Sequence, residues 1–204
     1  MSSQLTIENL TLFRGDKCLF KNTSFTITQG DLLLITGPNG SGKTTMLRSI
    51  AGLVEPETGI ISWNHKSISV DRQTYHENIS WISHKHGFKG GLSIIENLEF
   101  EAHLYNYSFN RIDDALERLS LSLNKNIPFK CLSAGQKRRA SLARLILNKN
   151  VLWLLDEPTS NLDAHAQDIF KEILNEHIIN KGLCVLATHH PEAFEDSTSI
   201  IELS

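Results

Sequence analysis

Residues Gly37-Pro38-Asn39-Gly40-Ser41-Gly42-Lys43-Thr44 place glycines, a lysine and a hydroxyl at the spacing G-x-x-x-x-G-K-S/T, which suits the phosphates of a nucleoside triphosphate. Glycine backbone reaches left-handed angles and approaches an anion closely, so successive amide hydrogens and the positive end of a following helix converge on it. Lys43 supplies a point charge for the β and γ oxygens, and the Thr44 hydroxyl is a ligand for Mg2+. A second set of groups, Asp156 and Glu157, follows the apolar run 151–155, at the strand end where open α/β sheets bind ligands. Asp156 is suited to the Mg2+ shell and Glu157 to polarising an attacking water. In Leu132-Ser133-Ala134-Gly135-Gln136 the serine and glutamine have capping-box spacing. A helix starting there is either a second anion site or simply a well-capped helix.

These groups need elements to hold them. Residues 32–35 form an apolar run suited to a buried parallel strand, and 45–51 carry apolar positions at helical spacing up to Gly52, so the glycine loop sits between strand and helix. Residues 5–7 and 25–27 alternate as strands, with Arg14-Gly15-Asp16 as a turn; 60–63 and 79–83 read as further short strands. From about 93 to 147 the pattern becomes helical. It opens on a capping box at Ser93 and Glu96, and Ile112, Ala115, Leu116 and Leu119 share one later face. Leu142, Leu145 and Ile146 mark another helix. Strands return at 151–155 and 183–187, separated by a helix that Asp163 caps and Lys181-Gly182 closes. The expected fold is α/β: a phosphate-loop core with an N-terminal antiparallel β subdomain and an inserted α-helical subdomain. Residues 1–204 form a single domain, with 1–86 and 150–204 as the core and 87–149 as the helical part.

Composition narrows the function. A chain of 204 residues with 40% hydrophobic and 21% charged residues suits one substantial core. A net charge of -3 gives no reason to expect nucleic acid, and Lys137-Arg138-Arg139 reads as a solvated helix face. Three scattered cysteines suit a reducing compartment. No apolar stretch is long enough to span a bilayer, and Met1-Ser2-Ser3-Gln4 opens no signal peptide, so a membrane role must come through a partner. The nine histidines read as surface residues, because no zinc-type spacing accompanies them.

The order of phosphate loop, helical insertion, Leu132-Ser133-Ala134-Gly135-Gln136, Leu155-Asp156-Glu157, Ser160-Asn161-Leu162-Asp163 and Thr188-His189 resembles the ATP-binding-cassette (ABC) ATPases over essentially the whole chain. The resemblance implies ATP binding by Phe13 and by Gly37, Pro38, Asn39, Gly40, Ser41, Gly42, Lys43, Thr44 and Thr45. It also implies Mg2+ held through Thr44 and Asp156, and catalysis by Lys43, Glu157 and His189. Ser133, Ala134, Gly135 and Gln136 would act on the ATP of a second copy in a homodimer, with Asp163 linking the two sites. Phe13 is either an adenine-stacking ring or a core strand residue. Within the family the chain is most similar to the ATPase subunits of the heme exporters of cytochrome c maturation. The basis is its shortness, Leu10-Thr11-Leu12-Phe13-Arg14-Gly15 with Leu19-Phe20, and the run 132–145. That implies integral membrane partners, a peripheral place on the cytoplasmic face of the bacterial inner membrane, and no heme bound by this subunit. ATP hydrolysis would drive heme delivery or release of its chaperone. The alternatives are an ATPase of another small exporter and a nucleotide-gated assembly module with little turnover.

One position departs from the family. Where it usually has a glutamine that reaches Mg2+ and water, the stretch Ser83-His84-Lys85-His86-Gly87 puts Lys85. Lysine has donors and no acceptor, so it cannot ligate the metal. Either Lys85 turns away or it pairs with phosphate.

Overall fold

The computed structural model describes residues 3–105, 108–194 and 196–203, so Met1 and Ser2 of the opening segment lie outside the described residues. Two compact units divide the chain: Met1–Trp81 with Asn150–Glu157 and Glu176–Ser204, and Ile82–Lys149 with Pro158–Asn175.

Two sheets build the first unit. β1 (Gln4–Arg14) and β2 (Lys17–Thr28) form a hairpin across Gly15, whose φ of 59° fits the turn. β4 (Thr58–Trp63) and β5 (Lys66–Ser67) extend it antiparallel, in the order β2-β1-β4-β5. Leu5, Ile7, Leu10 and Leu12 face the core, while Glu8 and Asn9 face out. The second sheet has the order β6-β7-β8-β3-β9. It comprises β3 (Leu32–Thr36), β6 (Ile79–Ile82), β7 (Leu152–Asp156), β8 (Leu183–Ala187) and β9 (Ser199–Glu202). Every residue of β3, β7 and β8 is buried, which is why each reads as an unbroken apolar run. α1 (Lys43–Ile50) follows the glycine loop, and α2 (Arg72–His76) is a single turn capped by Asp71.

At the end of this sheet away from the loop, the His177 ring lies flat on Trp153, with centroids 3.7 Å apart, and Nε2 faces the Leu183 carbonyl at 3.2 Å. His177 is therefore no surface histidine. Burial pushes its pKa down to about 4. The unfolded chain takes up this proton near 6.5, whereas the folded chain resists until about 4. Stability is thus fully present above 6.5 and falls with pH between those values, by on the order of 3 kcal/mol. In His177→Phe, which keeps a flat ring on Trp153, the drop in urea midpoint between pH 7.5 and pH 5 is expected to shrink. An equal drop in both proteins would count against His177 as its source.

The second unit is helical: α3 (Ile94–Tyr105), α4 (Ile112–Arg118), α5 (Ala134–Leu147) and the start of α6 (Ala164–Ile179), which runs on into the first unit. Ser93 and Glu96 make the capping box of α3, and Ser133 and Gln136 that of α5. Asp163 Oδ1 accepts from the Ala166 amide at 2.8 Å and caps α6. The expected solvated face 137–139 is not found. Arg138 is 1% exposed, and Arg139 donates to the carbonyls of Leu119 and Ser120. A guanidinium is a planar fork of donors, so a buried one is tolerable where backbone carbonyls converge on it.

Candidate nucleotide site

β3 delivers the chain into a loop whose Gly37, Gly40 and Gly42 have φ of 137°, 80° and 107°, values that side chains rarely adopt. At Gly37 the need is also steric, because a Cβ there would overlap the Leu203 carbonyl and crowd Ser41 Oγ. Gly42 caps α1 without a side-chain bond, leaving the first amides of the helix for an anion. Leu19 of β2 packs where a Gly42 Cβ would be, 3.1 Å away. Ser41 is 2% exposed, and among the described residues its hydroxyl has no hydrogen-bond partner. Pro38, Asn39 and Gly40 are exposed, while Thr44 and Thr45 are half-buried on α1.

Lys43 folds back over its own loop, donating to the carbonyls of Gly37 at 2.7 Å and Pro38 at 3.1 Å. Burial lowers its pKa, and the Glu157 and Asp156 carboxylates pull it back up. Thr44 Oγ1 lies 3.1 and 3.0 Å from the two Asp156 oxygens. This is an all-oxygen pair of one hydroxyl and one buried carboxylate, a donor set that fits a hard cation such as Mg2+.

Glu157 follows β7 in a left-handed conformation, φ 50°, with its amide bonded to the Ala187 carbonyl at 3.0 Å. A non-glycine residue there carries strain of order 1 kcal/mol, and such strain gathers where a side chain must be aimed. His189, just past β8, receives it, with Nε2 3.2 Å from Glu157 Oε1. On the other edge of the ring Nδ1 is 3.5 Å from Lys43 Nζ. The ring thus lies between the Glu157 carboxylate and the Lys43 ammonium, within ion-pair distance of the one and at the edge of hydrogen-bond distance of the other. His190 instead pairs with Glu192 on the surface.

Lys43, Thr44, Asp156, Glu157 and His189 thus converge around one loop in the first unit. Phe13, 43% exposed on β1 opposite Cys18, is not a core residue. Ser133, Ala134, Gly135, Gln136, Asp163 and Lys85 belong to the second unit. Ser133 and Ala134 are exposed at the start of α5, and Lys85 is exposed with its carbonyl accepting from Ser83 Oγ at 2.6 Å. Sequence reasoning named Ser41 among the ATP-binding residues without its burial, and it missed Leu19 as the wedge against Gly42. Only the glycine pattern around them could have hinted at either.

Residues 20–160 match the family described as ABC transporter. The chain is 40% identical over 191 residues to the "Cytochrome c biogenesis ATP-binding export protein CcmA" of Paramagnetospirillum magneticum, covering 92% of this chain and 88% of that one. It is 37% identical to the protein of the same name from Vibrio vulnificus, covering 96% of each. A solved structure described as an ATP-binding subunit of an ABC transporter superposes with a TM-score of 0.89 at 25% identity, over 98% of this chain and 85% of that one. With a family match over most of its length and relatives near 40% identity covered almost end to end, the chain belongs to the ABC transporter family, as an ATP-hydrolysing subunit of the cytochrome c biogenesis export type.

Proposed function

We propose that this chain powers the transporter that exports heme, or frees its heme chaperone, in cytochrome c biogenesis. In this reading it acts as a homodimer on the cytoplasmic face of the bacterial inner membrane. The observation that carries the catalytic part is the convergence of Lys43, Thr44, Asp156, Glu157 and His189 on one glycine loop. The relatives' names support the process. The relatives are named as ATP-binding export proteins, and in this reading the transport path belongs to partner subunits; among the described residues no helix is long and apolar enough to cross a membrane.

The loop amides and Lys43 take the β- and γ-phosphates, and the exposed Phe13 ring offers a face for the base. Thr44 and Asp156 would hold Mg2+, whose chemistry is neutralisation of phosphate charge. Glu157 accepts the proton of the attacking water, and His189, 3.2 Å from the carboxylate, stands beside it to meet the γ-phosphate. Ser133 and the first amides of α5 close on the ATP held by the other copy. The test is co-purification of the chain with its membrane subunits, followed by ATP turnover with and without heme and the heme chaperone. Turnover indifferent to both would overturn the cargo assignment.

Lys85 favours a second reading, a nucleotide-gated assembly module with slow turnover, because an exposed ammonium stands where an acceptor would serve the metal. Lys85→Gln is expected to raise basal ATPase activity several-fold, measured as phosphate release across a Mg2+ titration. An unchanged rate and Mg2+ dependence would remove Lys85 from the active site.

A further inference from the structure

We propose that Arg138 is a positioning residue: it locks the Lys85 loop and the turn after Glu157 onto helix α5, so that loop, turn and the Ser133 end of the helix move as one body. The inference rests on the ATPase reading above and assigns it a transmission element.

Arg138 lies one turn past the Ser133 cap and is 1% exposed. Its Nε donates to the Pro158 carbonyl at 2.9 Å and its Nη1 to the Ser83 carbonyl at 2.9 Å. Pro158 directly follows Glu157 in the chain, and Ser83 opens the loop that carries Lys85. Burying a cation is costly unless its donors are satisfied. Packing alone would be served as well by an apolar side chain of similar length. What an apolar chain lacks is a grip on two carbonyls from distant parts of the sequence.

The grip repeats along one face of α5 at a spacing of three residues. Ser141 Oγ lies 2.9 Å from His86 Nδ1, and Arg144 Nη1 donates to the His86 carbonyl at 2.6 Å. Arg144 is itself fixed by Glu101 of α3, Nε to Oε2 at 2.7 Å, and lies over the Phe88 ring. Ser83 Oγ closes the loop internally on the Lys85 carbonyl. On the turn side a Cβ at Gly135 would fall 2.9 Å from the Asn161 carbonyl, so only glycine lets that turn lie against the first turn of α5. The loop is thus stapled along the helix and the turn is seated at its start, and Arg138 holds both.

The experiment is a double-mutant cycle in the full chain with its membrane partners, using Lys85→Gln, Arg138→Met and both together, with ATPase kcat and KM as readouts. Arg138→Met is expected to lower kcat at least about tenfold with KM for ATP within about threefold, since ATP first meets residues of the other unit. Lys85→Gln is expected to change turnover only while Arg138 is present. Arg138→Lys is expected to recover less than about half of the lost kcat, because one ammonium lacks the fork that spans two carbonyls. Additivity in the cycle, including no effect of Lys85→Gln in either background, overturns the proposal, as does a folded Arg138→Met protein with normal kcat. If Arg138→Met fails to fold, the cycle is run with Arg138→Lys and the same additivity overturns it. A parent complex without ATP turnover would refute the ATPase reading itself, which separates the two failures.

Discussion

Glu157→Gln is expected to lower ATP turnover by ~10²–10⁴-fold while leaving ATP binding intact, the range for loss of a positioned general base. The substitution isolates the proton-accepting role because little else changes. The left-handed backbone at Glu157 is fixed by its amide bond to Ala187, and the glutamine amide has the same shape and the same strain. The glutamine oxygen keeps the same short distance to His189 Nε2, so the histidine keeps its place between residue 157 and Lys43. What disappears is an acceptor basic enough to take a proton from water. On the proposed homodimer reading, blocked hydrolysis is expected to let ATP hold two copies together, so that size-exclusion chromatography in ATP shows a dimer for the variant and less of one for the parent protein. Turnover at the parent rate would exclude Glu157 as the base. Lost turnover with lost ATP binding would mean that the side chain serves the loop rather than the water.

The residues that gave this reading were legible because their physics is local. A glycine loop between an apolar run and a helix must put amides toward an anion, and a capping box fixes where a helix starts whatever surrounds it. The runs in β3, β7 and β8 were plain because a strand covered on both faces has no polar alternation to dilute it. β9 was missed for the converse reason: it is a short edge strand with Ser199 and Ile200 exposed, so neither length nor periodicity marks it. Arg138 and His177 were misread as solvated. Whether a polar side chain is buried depends on carbonyls and rings from distant parts of the chain: Pro158 and Ser83 for one, Trp153 and Leu183 for the other. Phe13 stayed open between ring platform and core until its exposure on β1 was known.

Mixing two inactive variants is expected to restore activity if each ATP is completed by the second copy. Lys43→Ala removes the charge that folds over the phosphate loop, and alone it is expected to abolish measurable turnover. Ser133→Arg leaves that loop untouched but removes the hydroxyl that caps α5, at a cost of about 1 kcal/mol to the helix, and sets a bulky cation at its exposed start. Alone it too is expected to be inactive while still binding ATP. In a mixed dimer one site pairs two damaged halves, and the other pairs the intact loop of one copy with the intact α5 end of its partner. Random exchange at equal amounts makes half the dimers mixed, each with one whole site, so turnover is expected to return to about a quarter of the parent value. If the loop and the α5 end of the same copy formed the site, every site in every dimer would carry one defect and nothing would return. The outcome therefore decides whether the exposed capped end of α5 completes a catalytic site on a second copy or is only a well-made helix start. That choice rests on Ser133, whose side chain satisfies the helix through the Gln136 amide yet remains open to solvent.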